Sequence, residues 1–414
     1  MSLLADHRDA LPQHHLRFFA GSSVVVQSPV YAAFFDRTVD DALGPSRGRA
    51  SRLRRAQEAC YPLLKRLFHR MLPTSAGQRL DIARSLFAGL GLGQLSLDVS
   101  ADGGQVEARN LYRLSLEPAT TGTAERPWPL DAFSGGFAAA ATEVAYDLSA
   151  GTISVSPRDL GAVTTYQLEA MGNPGEIRVP HQAQIRESAP ASFGGLHEDR
   201  IAELTIGLLS QVSGFVGNEQ GEIRPPGGRV AFVPSDYFNA LAHHLLSTVA
   251  EEKPAALPAA RALLVEAGYA HAYIGFGQVM QAGALQVNEH GASPLYVVLS
   301  ALAMARAWGF GRWCVEAFVP EERLILRSPG THESLYQVCA VDNTSQPSAY
   351  AFEGAALALM DLAHRTAWQA NPRLDGRMVT ALRRDPRWRV QQTHSVAVGD
   401  AMDRVVVSST PPLS

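Results

Sequence analysis

Two rhythms of apolar and polar residues run along the chain. The segments Leu95 to Val99 with Val106 to Asn110, and Trp313 to Phe318 with Leu324 to Ser328, alternate apolar and polar positions, the period of half-buried strands. The links SADGGQ and VPEER between them are turn-like, so each pair predicts an antiparallel hairpin. Shorter polar-edged strands are predicted at Ser23 to Gln27 and Arg229 to Val233, each followed by a helix starting near Tyr31 or Tyr237. Helical spacing governs other stretches: Tyr61, Leu64 and Phe68 fall at i, i+3 and i+7, and Tyr269, Tyr273 and Phe276 at i, i+4 and i+7. Pro62 predicts that the first of these helices starts or kinks there. Ile201, Leu204, Leu208 and Val212 mark one face of a further helix from Glu198 to Val212. The runs AFSGGFAAAATEV and YAFEGAALALMDL read as closely packed helices of small residues. Runs of helices and of antiparallel strands, without strict strand–helix alternation, predict an α+β fold.

The same features occur twice. Gly91 and Gly309, Arg109 and Arg327, Pro129 and Pro347, and Gly136 and Gly354 are each 218 residues apart (309 − 91 = 218). Upstream, Glu58-Ala59-Cys60-Tyr61 matches Glu266-Ala267-Gly268-Tyr269 at 266 − 58 = 208, with Phe68 and Phe276 in the same register. One consistent gap predicts a duplication, with about ten extra residues in the second copy between Gln281 and Pro294. The expected organisation is a first domain over 1–170, a Pro/Gly-rich linker over 171–196 and a second domain over 197–414. Each domain is expected to be a helical layer packed on a small antiparallel sheet.

Composition narrows the function classes. Apolar residues are 46% and charged residues 18% of the 414, which implies filled cores. A net charge of −4 argues against nucleic-acid binding through phosphates. No run of 18 apolar residues predicts a membrane span, and the polar N-terminal segment lacks a secretory signal, so a cytoplasmic protein is expected. Cys60, Cys314 and Cys339 are too scattered for a disulfide framework or a four-thiolate metal site. Asp6-His7-Arg8-Asp9 has the letters of a kinase loop but His14 where the Asn belongs. The glycines of GLGLG follow a helix and precede a strand, the reverse of a dinucleotide loop. His14-His15 and His243-His244 are neighbours that point apart on a helix and do not share a metal. Arg47, Arg49, Arg52, Arg54 and Arg55 read as a solvated face. No catalytic residue is assigned, and no nucleotide, flavin or haem motif calls for a cofactor.

The E-A-x-Y helix, Trp308-Gly309-Phe310-Gly311 before a hairpin, Phe352-Glu353-Gly354 opening a small-residue helix, and Gly399-Asp400 near the end together resemble the 4-vinyl reductase domain. That family includes aromatic-effector sensors of bacterial transcription activators and a factor implicated in bacteriochlorophyll vinyl reduction. The TRAPP vesicle-tethering subunits are similar in fold. The resemblance implies an apolar pocket between helices and hairpin sheet, and domains that pair, as a homodimer or as a pseudo-dimer within one chain. In family members that bind zinc, the ending E-x-x-C-x-x-x-G-D-x-x-C and an additional Cys supply the ligands. Here the ending's ligand positions are Gln392, Ser395 and Asp403, so no zinc is expected. The ligand-lining residues expected in the second copy are Tyr269, Tyr273, Phe276, Trp308, Trp313 and Phe352; those in the degenerate first copy are Cys60, Tyr61 and Phe68. The function this implies is non-enzymatic binding of an apolar or aromatic small molecule, as sensor or carrier. The alternatives are a ligand-free interaction scaffold and an accessory factor in tetrapyrrole vinyl reduction.

Overall fold

A computed structural model of the chain describes residues 8–11, 15–114, 131–160, 163–171, 193–283, 293–341 and 346–409. Most of the expected linker and of the extra residues after Gln281 lie outside these, as do Asp6, His7, His14 and Pro129. The first half runs β1 (Arg8–Leu11), β2 (Leu16–Phe19), β3 (Ser22–Gln27), α1 (Pro29–Leu43), α2 (Pro45–Met71), α3 (Ala76–Gly89), β4 (Gln94–Ser100), β5 (Gly103–Arg109), α4 (Phe133–Ala145), β6 (Ile153–Leu160) and β7 (Val163–Ala170). The second opens with α5 (Glu198–Ser213), β8 (Ala231–Pro234), α6 (Ser235–Glu252) and α7 (Leu257–Ala270). It continues through a π-helical turn (His271–Phe276) into α8 (Gly277–Gln281), then α9 (Pro294–Trp308), β9 (Cys314–Val319) and β10 (Arg323–Ser328). It closes with α10 (His332–Ala340), α11 (Tyr350–His364), α12 (Gly376–Arg384), β11 (Trp388–His394) and β12 (Asp403–Ser409). This is an α+β fold in which helices pack on small antiparallel sheets.

The alternation read from the sequence is the pleat of these sheets. Leu95 and Leu97 of β4 and Val106 and Ala108 of β5 are buried, while Asp98 and Glu107 face solvent. The four-stranded sheet of the first half has the order β4-β5-β7-β6, and that of the second β9-β10-β12-β11. In each, a hairpin is followed by a small-residue helix and two closing strands. A Cβ at Gly136 of α4 would come within 2.4 Å of the Leu53 carbonyl oxygen on α2. At Gly354 of α11 it would come within 2.1 Å of the Val265 oxygen on α7. Only glycine lets these helices approach so closely.

A third sheet, β1-β2-β3-β8, joins the halves, with Val25 paired to Val233. The chain leading into each half packs on the other half's glycine turn. Gly309 (φ +89°) lies under the Val24 carbonyl and Gly91 (φ +84°) under that of Val230.

Two expectations are corrected. Helix α2 runs unbroken through Pro62, because buried Ala59, Cys60, Leu63, Leu64 and Leu67 hold both sides of it in the core. That packing offsets the roughly 3 kcal/mol an interior proline costs. The arginine run is not one solvated face: Arg47 pairs with Glu252 at the surface, whereas Arg52 is fully buried against Asp36 and Asp40.

Candidate functional site

The π-helical turn turns two residues of the second half toward the start of α1 of the first, His271 and Gly275, and sets Phe276 against the His271 ring. Such turns carry one extra residue per turn and are frequent at functional sites. His271 is 3% exposed, and neither ring nitrogen has a hydrogen-bond partner. Burial, with a smaller push from nearby His332, lowers its pKa to about 3, so the ring is neutral, with one N–H and one bare nitrogen. Four rings enclose it, with centroids at 4.8 Å (Tyr31), 5.1 Å (Phe310), 5.2 Å (Phe276) and 6.2 Å (Trp308). An ideal Cβ on Gly275 would lie 3.0 Å from Ser28 Oγ and 3.4 Å from His271 Nδ1. Glycine at this position thus lets the π-helical turn approach the start of α1 more closely than a side chain would allow. The Ser28 hydroxyl, at the start of α1, also lacks a partner.

Unpaired buried polar atoms cost about 1–3 kcal/mol each, so the site is destabilising as it stands. Behind Phe310 (5.5 Å) stands His332, whose Nδ1 lies 3.1 Å from Asn239 Oδ1 and whose Nε2 is unpaired.

The ligand-lining residues expected in the second copy divide into three groups. Phe276 and Trp308 meet edge to face at 5.5 Å within the His271 enclosure. Trp313 packs on Phe352 at 4.8 Å and reaches that enclosure through Phe310, 6.2 Å away. Tyr269 and Tyr273 stack on each other at 5.9 Å and turn their hydroxyls to Asp361 (2.7 Å) and Thr366 (3.3 Å). In the first half Cys60 and Phe68 are core residues, and Tyr61 donates its hydroxyl to the Leu148 carbonyl at 3.0 Å. His271, Gly275, Ser28, Tyr31 and Phe310 were missed by the sequence reading. The available signal was a single histidine in the uncharged stretch from Ala267 to Gln281.

Of the positions compared with the zinc ending, Gln392 and Asp403 join a hydrogen-bonded knot, while the Ser395 hydroxyl has no partner. The buried Asp403 carboxylate accepts the N–H groups of Thr331 and Val396 (both 3.0 Å), the Gln392 amide (3.3 Å) and the Ser334 hydroxyl. Among the described residues, no group of three or more His, Cys, Asp or Glu side chains is placed to hold a metal ion.

No known protein family matches the chain, and no curated protein matches it. Among solved structures, it is similar to the crystal structure of the phenol-responsive sensory domain of the transcription activator PoxR with phenol. That similarity covers 50% of this chain and 90% of that one, at 14% identity and a TM-score of 0.35.

Proposed function

We propose that the second half binds a small aromatic or apolar molecule bearing one hydrogen-bonding group, and that the chain works as a sensor or carrier. The observation that carries this reading is the pair of unpaired buried polar groups, the His271 imidazole and the Ser28 hydroxyl, that meet at Gly275 and are enclosed by aromatic rings. A ligand hydroxyl there would pair with a ring nitrogen and with Ser28 Oγ, while Phe276, Trp308 and Phe310 cover its apolar body. The neutral imidazole accepts or donates without bringing a charge into the core. Binding rather than catalysis fits the thiols, since burial holds Cys314 at about 11 and pushes Cys60 up as well, leaving neither as a nucleophile at neutral pH.

Under this reading the halves are tandem copies resembling the 4-vinyl reductase domain, the first degenerate. Their common strand order supports it. At the two offsets, His271, Trp308, Phe310 and Trp313 correspond to Leu63, Leu90, Leu92 and Leu95, which are all buried (271 − 208 = 63; 308 − 218 = 90). Leucines there replace the polar handle and the rings with plain core. The first half then serves as a permanent partner whose α1 roofs the site of the second.

A thermal-shift screen of phenol, cresols, indole, alkanes, fatty acids and tetrapyrroles tests this. A saturable rise is expected for small aromatics with one hydroxyl or N–H, amounting to about 2.7 kcal/mol at a hundredfold excess over Kd. That rise should vanish in His271→Leu. If no compound stabilises the wild type, or a hit survives in His271→Leu, the proposal fails.

A further inference from the structure

A separate cleft opens where α1, α6, α10 and the start of α11 meet. Rings of Tyr31, Phe35, Phe238 and Tyr350 wall it, and Glu333, Gln337 and Ser348 give it a polar side. All three polar side chains are about nine-tenths buried or more, at 9%, 7% and 6% exposure. Two atoms there have no partner, Gln337 Oε1 and Ser348 Oγ. Asn239 also lines the cleft, but its amide is committed to His332 on both sides, donating to the carbonyl oxygen (3.0 Å) and meeting Nδ1 (3.1 Å). The Glu333 carboxyl is held in place by the N–H groups of Ala351 (3.0 and 3.1 Å) and Phe352 (3.4 Å) in the first turn of α11. Counting its mouth the cleft measures about 340 Å³, and its interior admits about one water-sized group.

The chemistry of this lining is one-sided. The unpaired atoms are a carbonyl oxygen, which only accepts, and a hydroxyl, which accepts readily; the third group is a carboxyl. The ionisable groups facing Glu333 are Tyr31 from α1, Tyr350 and Glu353 from α11, and Asp403 from β12. Arg261 acts on Tyr350 and Glu353. An anion would meet carboxylates there. A hard divalent ion wants about six or more oxygen ligands and would be left facing aromatic rings. An ammonium group is the size of a water, carries three donors and no acceptor, and is attracted to aromatic walls in a desolvated site.

We infer that the cleft binds a primary organic ammonium ion, its head seated among Glu333, Gln337 Oε1 and Ser348 Oγ and its hydrocarbon body against the rings. Burial keeps the Glu333 carboxyl up at about 8, so the empty site holds a proton at neutral pH. On binding, the carboxyl gives that proton to the buffer and becomes the counter-ion of the ammonium. Affinity therefore rises with pH between about 6 and 8, by up to about tenfold per unit. The site does not depend on the His271 reading, although Tyr31 both walls this cleft and packs on the His271 ring.

Benzylammonium chloride is the probe, titrated calorimetrically into the full chain at pH 7 in two buffers of different ionisation heat. The expected result is one saturable site per chain with release of close to one proton. Benzyl alcohol, the same body without the charge, should bind at least about tenfold more weakly. Glu333→Gln keeps an oxygen for the Ala351 and Phe352 N–H groups and should lose at least about tenfold in affinity together with the proton release. Ser348→Ala, which removes an unpaired hydroxyl and so does not endanger the fold, should weaken binding several-fold. His271→Leu should leave benzylammonium unaffected while abolishing phenol-type binding, which separates the two sites. The inference is overturned if the wild type gives no saturable heat, if Glu333→Gln binds equally well, or if His271→Leu loses the signal.

Discussion

The ring of Tyr31, on α1 of the first half, lies 4.8 Å from the ring of His271, on the π-helical turn of the second. A residue of one half therefore packs against the proposed binding chamber of the other, and under that proposal its size should limit what the chamber takes. Tyr31→Ala should lower stability by about 3 kcal/mol, the usual range for truncating a buried aromatic. It should also convert a poor bicyclic ligand such as 2-naphthol into one that raises Tm more than it does in the wild type. An equal shift in both proteins would remove Tyr31 from the chamber wall.

His271 sets opposite signs for stability and binding. His271→Leu removes two unpaired buried nitrogens and should stabilise the ligand-free protein by about 1 kcal/mol or more. Chemical denaturation reads this, and a destabilised variant would mean that the imidazole has a partner.

Two of the groups that shape the pH dependence, His271 and Glu333, are shifted in opposite directions. His271 titrates near 3 when folded against an ordinary 6.5, so the unfolded chain binds its proton first as pH falls. Relative to His271→Leu, the wild type should lose stability as pH drops from about 6.5 toward 3. Glu333 titrates near 8 against an ordinary 4.5, so here the folded chain holds the proton longer. Relative to Glu333→Gln, the wild type should lose stability as pH rises from about 4.5 to 8, at no more than about 1.4 kcal/mol per unit. Denaturation midpoints at half-unit intervals check both slopes, and parallel curves would contradict them.

Gly275→Ala is the most economical test of the chamber. The added methyl would press on Ser28 Oγ at 3.0 Å and touch His271 Nδ1 at 3.4 Å, a small overpacking that is partly offset because alanine suits a helical backbone better than glycine. Folding should survive with Tm within a few degrees, while binding of a phenol-sized ligand weakens by about tenfold or more. Unchanged affinity would move the ligand elsewhere.

At the C-terminal knot, the Asp403 carboxylate gathers main-chain N–H groups from two separate segments. Asp403→Ala strands the N–H groups of Thr331 and Val396 and should destabilise by about 3 kcal/mol. A chelator should leave the wild-type Tm where it is. A fall in Tm with EDTA, reversed by zinc, would disprove this.

The hairpins β4–β5 and β9–β10 and the small-residue helices α4 and α11 were legible because each has a strong local pattern, whereas β1, β2, α10 and α12 are short and were not legible. The pairing of β3 with β8 was not, since both strands were read as the opening strand of their own copy and nothing local names a partner 233 − 25 = 208 residues away. Phe276 and Trp308 were legible as large aromatics at helical spacing and at a glycine turn. His271 was not, for a geometric reason. Two residues beyond Tyr269, it would lie about 200° around a regular α-helix, on the far side from that face. The wider π-helical turn changes which side chains share a face, and no periodic template anticipates it.

The strand pairing through Val25 and Val233 makes the contact between halves intramolecular. A homodimer melts at a temperature that climbs with protein concentration, and this chain should not. Each half's leading strand lies on the other's glycine turn, so the two remain useful to each other after the covalent connection is gone. Cutting the backbone between residues 171 and 193 should yield two fragments that co-purify as a heterodimer. Their shared melting point then becomes concentration-dependent, which makes the molecule a ready-made split protein whose reassembly can report on its own ligand.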